Sequence, residues 1–125
     1  MTVNYREIAD EPTFSVWGTG SPLREFLHVD DCADALVHIM QCYSDDEHIN
    51  VGSGSDISIK DLAALVANVV GFSGEIAFDA AKPDGAPRKL MCSAKLKSLG
   101  RSPRVSLREG VADAYHFLLA GDIRQ

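Results

Sequence analysis

The apolar positions change period along the chain, and each change marks an element. Thr13 to Trp17 (TFSVW) is a run of β-formers and predicts a strand. The cluster Gly18-Thr19-Gly20-Ser21-Pro22 reads as a turn, and Glu25 to Val29 (EFLHV) predicts a second strand. The two strands are expected to form a hairpin around the glycine-containing loop. Asp30 and Asp31 suit a helix N-terminus. After them apolar residues recur at Cys32, Leu36, Ile39, Met40 and Tyr43, which predicts a helix ending near Tyr43. Ser44 to Glu47 is a polar loop, His48 to Val51 (HINV) a short strand, and Gly52 to Ser55 a flexible turn. Ser58 caps the next helix, whose stripe is Ile59, Leu62, Val66, Val69 and Val70, and Gly71 stops it. Glu75 to Phe78 predicts a fourth strand, and a short helix over roughly Ser93 to Leu99 stops at Gly100. Ser106 and Glu109 form a capping box that opens the last helix, with Leu107, Val111, Tyr115 and Leu118 on its inner face. The first fourteen residues are weakly patterned. Strands alternating with helices give a mixed α/β class.

Composition narrows the function classes. A chain of 125 residues with 46% hydrophobic and 24% charged residues is globular, and 1–125 is read as a single domain. No apolar run approaches ~18 residues, so no membrane partner is expected. The polar start, Met1 to Glu7, predicts no secretory signal. A net charge of −6 argues against a nucleic-acid partner. Three cysteines, Cys32, Cys42 and Cys92, make no disulfide framework, and a reducing cytoplasm fits them. Without a CxxC or HxxxH pattern no metal is expected. A dinucleotide-dependent enzyme needs a cofactor domain and a substrate domain, and this length holds one of them.

Three segments are richer than structure alone demands. Trp17 to Phe26 carries the only Trp and a cation across a glycine turn. Trp17 could pack on a sugar or base face and Arg24 could hold a diphosphate bidentately. The alternative is a plain hairpin with a half-buried Trp and a surface Arg. Lys82 to Lys89 places three cations, Lys82, Arg88 and Lys89, in a loop stiffened by Pro83 and Pro87. Such a loop suits phosphate, and equally a solvated surface. His28, followed by Asp30 and Asp31, raises acid–base chemistry, but a strand histidine with one satisfied nitrogen ahead of a helix cap accounts for it better. Cys92 has no local histidine and reads as structural.

VWGTGSPLREFLHVDD (Val16 to Asp31), DDEHINVGSG (Asp45 to Gly54) and KPDGAPRKL (Lys82 to Leu90) closely resemble the C-terminal part of the GDP-L-fucose synthase family. These are NADP-dependent epimerase-reductases among the extended short-chain dehydrogenases. They convert GDP-4-keto-6-deoxymannose to GDP-L-fucose. FLHVDD alone would indicate only the wider nucleotide-sugar epimerase group; WGTGSPLREF (Trp17 to Phe26) together with KPDGAPRK (Lys82 to Lys89) narrows it to this family. The resemblance implies the substrate-binding part of that fold without its Rossmann domain. It implies substrate contacts at Trp17, Arg24 and Lys89. The family's GxxGxxG turn, its Ser and YxxxK pair and its epimerising Cys and His have no match here. The resemblance therefore implies no catalytic and no cofactor-binding residues in this chain. NADP belongs to the full-length family and is not expected to bind this chain alone. The chain departs from the family at Cys92, where an acid is usual, and at Arg101, where Trp is frequent. Expected partners are a GDP-sugar, bound weakly, and either a second copy or a Rossmann-domain partner. The alternatives are a non-catalytic interaction module and a part of another nucleotide-sugar epimerase or dehydratase.

Overall fold

A computed structural model describes residues 12–121. The weak patterning and polar start assigned to the first residues lie, through residue 11, outside the described residues. The elements run β1 (Thr13–Trp17), β2 (Leu23–Glu25), α1 (Val29–Cys42), β3 (Asp56–Ser58), α2 (Ile59–Val70), β4 (Glu75–Asp79), β5 (Arg88–Lys89), α3 (Ala94–Ser98) and α4 (Leu107–Leu119). The mixed α/β class is as expected. No described helix is long and apolar enough to cross a membrane.

The expected hairpin does not form. β1 pairs in parallel with β4, from Thr13 opposite Glu75 to Trp17 opposite Asp79. β2 lies in a second sheet of order β3-β2-β5, antiparallel to β3 and parallel to β5. The turn explains the divergence. Gly18 and Gly20 take φ of 87° and 76°, a left-handed region that costs other residues roughly 1–2 kcal/mol. The Gly18 N–H donates to Asp79 O, while Gly20 O and Pro22 O accept from Lys60 N and Ile59 N. The turn is thus fastened to the end of β4 and the start of α2, and it steers the chain away from β1. The second strand also ends earlier than expected. His28 Nδ1 accepts the Asp30 N–H at 3.3 Å and caps α1, so Phe26 to Val29 leave the sheet. The cap is therefore His28, not Asp30 or Asp31.

Asp31 faces inward instead. Its side chain is 5% exposed, and Oδ2 accepts the N–H of Arg104 at 3.0 Å and of Val105 at 2.9 Å. His38 Nε2 donates to Leu99 O at 2.7 Å. These polar bonds set the rotation of α1, burying Asp31 and Ala35 and leaving Leu36 and Met40 outside. The expected inner face of α1 is corrected accordingly. His48 to Val51 is irregular rather than a strand, since the described residues offer its backbone no ladder partner.

The other helices follow their sequence signals. Ser58 accepts the Asp61 N–H at 3.0 Å, and Gly71 closes α2 in the left-handed conformation. Ser106 and Glu109 complete the capping box of α4. Phe14 and Val16 of β1, Ile76 of β4, Leu62 and Val66 of α2, and Leu118 of α4 face one apolar space of about 420 Å³. Burial is shallow: Ala35 and Leu96 are the buried apolar residues among those described.

Candidate functional site

The two segments rich in candidate chemistry meet in space. Residues 17–24 run beside 82–89 in the same direction. Lys82 Nζ sits 5.4 Å from the centre of the Trp17 ring, a cation–π contact. The Thr19 N–H donates to Asp84 Oδ1 at 2.9 Å and its hydroxyl to Asp84 Oδ2 at 2.6 Å. Leu23 N donates to Pro87 O, and β2 and β5 then pair Leu23 with Arg88 and Arg24 with Lys89. Residues in register on parallel strands present side chains to the same face. Arg24 and Lys89 therefore lie side by side on one face of the sheet.

The side chains differ in what they still offer. Arg24 Nη1 donates to Leu23 O and to Ala86 O, both at 2.7 Å. Both Nη1 hydrogens are thus committed to backbone, and Nη2 and Nε keep the remaining three. Gly85 gives the guanidinium room, since a Cβ there would stand 2.9 Å from Nη2. Arg88 is paired with Asp56, which raises its pKa. Lys89 is exposed and makes no ion pair among the described residues. Trp17 is 75% exposed, and its charged neighbour is Lys82 rather than Arg24 or Lys89.

Sequence reasoning missed three participants. Asp84 fastens the loop to the Gly18–Thr19 turn, and the Thr19 hydroxyl and N–H hold its carboxyl below the usual range. Thr19 is its donor. Glu25 gathers two loops: Oε1 accepts from Gly54 N at 2.6 Å and from Ser53 Oγ at 3.2 Å, and Oε2 from Met91 N at 3.0 Å. Burial alone would raise the Glu25 pKa; the N–H groups of Met91 and Gly54 and the Ser53 hydroxyl outweigh it and lower the value. A carboxylate inside a strand run, with Gly-rich turns elsewhere in the chain, was the available signal for Glu25.

A cleft of about 630 Å³ opens beside this seam, with Arg24, His28, Ser53, Lys97 and Ser106 among its polar lining. Of the three expected contacts it includes Arg24, while Trp17 and Lys89 stand outside its lining. His28 acts here as a helix cap, 3.9 Å from Asp30 and 4.0 Å from Asp113. The glycine turns do not fit a dinucleotide. Gly18–Gly20 leads into β2 and Gly52–Gly54 into β3, whereas the pyrophosphate cradle leads into a helix N-terminus.

One expected outcome concerns the seam itself. Gly18→Ala places a side chain at φ 87°, where its Cβ would collide with the Asp84 carboxylate. The backbone strain alone costs about 1–2 kcal/mol, and displacement of Asp84 adds to it. Thermal unfolding should show a clear drop, and a variant as stable as the native chain would contradict this packing.

The NAD dependent epimerase/dehydratase family profile matches residues 1–52. GDP-L-fucose synthase 1 of Arabidopsis thaliana is 60% identical over 104 residues, which are 83% of this chain and 32% of that protein. A GDP-6-OMe-4-keto-L-xylo-heptose reductase from C. jejuni superposes with a TM-score of 0.80 at 38% identity, over 88% of this chain and 34% of its own. A GDP-L-fucose synthetase from Naegleria fowleri, bound to NADP, gives a TM-score of 0.85 at 27% identity, over 95% of this chain and 38% of its own. The chain spans about a third of the length of the relatives it matches. Its resemblance is borne out: along most of its length, this chain is similar to roughly one third of a GDP-L-fucose synthase, within the extended reductases and epimerases.

Proposed function

We propose that this chain is the GDP-sugar-holding portion of a GDP-L-fucose synthase-type epimerase/reductase, the whole of which turns GDP-4-keto-6-deoxymannose into GDP-L-fucose. The observation that carries the reading is the register of Arg24 with Lys89, two cations on one sheet face. Paired cations suit a diphosphate, and Trp17 at the end of β1 offers an aromatic surface to a sugar or base. The three relatives described above differ in the sugar and share GDP, which supports reading the nucleotide as the constant part. NADP would be held by a dinucleotide-binding part, in the same polypeptide or beside it, because the glycine turns here lack the cradle.

Calorimetric titration with GDP tests this. Two charge-assisted contacts, without a second part to close over the ligand, should give weak binding, on the order of high micromolar or weaker. Lys89→Gln is the clean variant, because Arg24 also holds backbone carbonyls. It should weaken binding about tenfold while leaving stability unchanged. Equal heats from the native chain and Lys89→Gln would remove Lys89 from the site; no heat from the native chain would remove the GDP reading.

A further inference from the structure

We propose that Glu25 is the positioning residue of the Arg24–Lys89 pair, setting where Lys89 stands opposite Arg24; this rests on the GDP-binding reading above. β5 is two residues long, and its ladder with β2 has two register pairs. So short a strand does not fix its own exit. Just past the ladder the Met91 N–H donates to Glu25 Oε2 at 3.0 Å, which continues the attachment with a side chain. The other oxygen holds the opposite flank of β2, through Gly54 N and Ser53 Oγ. Gly52 permits this approach, since a Cβ there would stand 2.7 Å from Oε1. One carboxylate therefore ties β2 to the Ser53–Gly54 turn on one side and, on the other, to Met91, the residue that follows the Lys82 to Leu90 segment.

The geometry also keeps Glu25 away from a ligand on the cation face. Arg24 and Glu25 are successive strand residues, so their side chains leave opposite faces of the sheet. The carboxylate acts from behind, through the backbone that carries Lys89. The depression of its pKa is in keeping with an acceptor of several N–H and O–H groups.

The test is a double-variant cycle on the full chain, titrated with GDP. Glu25→Gln keeps the size but turns an amide toward one set of donors. Glu25→Gln and Lys89→Gln should each raise Kd about tenfold. If Glu25 acts through Lys89, the double variant binds no worse than Lys89→Gln. Additive losses would overturn the proposal. Asp31→Asn, which weakens a different loop attachment, that of Arg104 and Val105, should leave Kd unmoved; a matching shift there would mean that Kd merely follows stability, and would overturn it too. Absence of GDP binding by the native chain would defeat the GDP reading separately, and amide exchange then decides Glu25. The Met91 and Gly54 amides should exchange about tenfold faster in Glu25→Gln, with α4 amides unchanged. Unaltered exchange at Met91 and Gly54 would overturn the positioning role.

Discussion

Asp31→Ala is expected to lower the stability of this chain by about 3 kcal/mol, from two hydrogen bonds to a charged acceptor. The carboxylate is 5% exposed and takes two backbone N–H groups, Arg104 and Val105, on Oδ2. Those groups lead into the cap of α4, so losing Asp31 loosens the joint between α1 and α4. Asp31→Asn should cost less, because an amide oxygen in the Oδ2 position still accepts both N–H groups. Its nitrogen, however, would face Arg104, whose Nε lies 3.8 Å from Oδ1. The pH dependence has a defined sign. The Val105 and Arg104 N–H groups, against some burial, hold the Asp31 pKa below its ordinary 3.8. Its stabilisation is complete above 3.8 and is lost as pH falls through the lower folded value. Denaturant unfolding between pH 7 and pH 2 should show a smaller acid loss in Asp31→Asn than in the native chain. Identical acid slopes would show that Asp31 titrates alike in folded and unfolded states.

Where sequence reasoning succeeded, the signal was local. Ser58, Gly71 and the Ser106–Glu109 box govern backbone groups within four residues, and α2 and α4 begin where these predict. Where it failed, the decisive bond spanned the chain. β1 has the composition of a hairpin arm, yet its partner is β4, and the choice is made by bonds from the glycine turn to Asp79, Lys60 and Ile59. The apolar count along α1 favoured Leu36 and Met40 as inner residues. The polar residues Asp31 and His38 overruled it, because their partners at Leu99, Arg104 and Val105 are invisible to periodicity. The site shows the same division. Residue type and motif single out Arg24 and Lys89 as candidates, but not that their segments run side by side, because Asp84 and Glu25, which assemble the seam, act on backbone far away in sequence.

Concentration-dependent self-association of this chain is the second large effect expected. Val29, Leu36, Val37 and Met40 are 72%, 52%, 53% and 83% exposed, and their spacing of seven, eight and eleven residues from Val29 makes one stripe along α1. Ile39 and Tyr43, expected on the same face, are half-buried, and Lys95 covers the Tyr43 ring. A helix stripe of this kind contributes about 1.5–3 kcal/mol per large side chain once covered. The described residues leave it open, and the net charge of −6 opposes association only weakly at moderate salt. A symmetric pair of copies would cover both stripes, and each substitution then acts twice. Leu36→Lys and Met40→Lys should therefore each weaken association at least about a hundredfold, from two lost burials of that size. Light scattering across a concentration series reads this directly. The native chain should rise above 13.5 kDa, and the two variants should stay near it. A native chain that stays at monomer mass throughout would mean that the stripe tolerates water, and that α1 is not where copies meet.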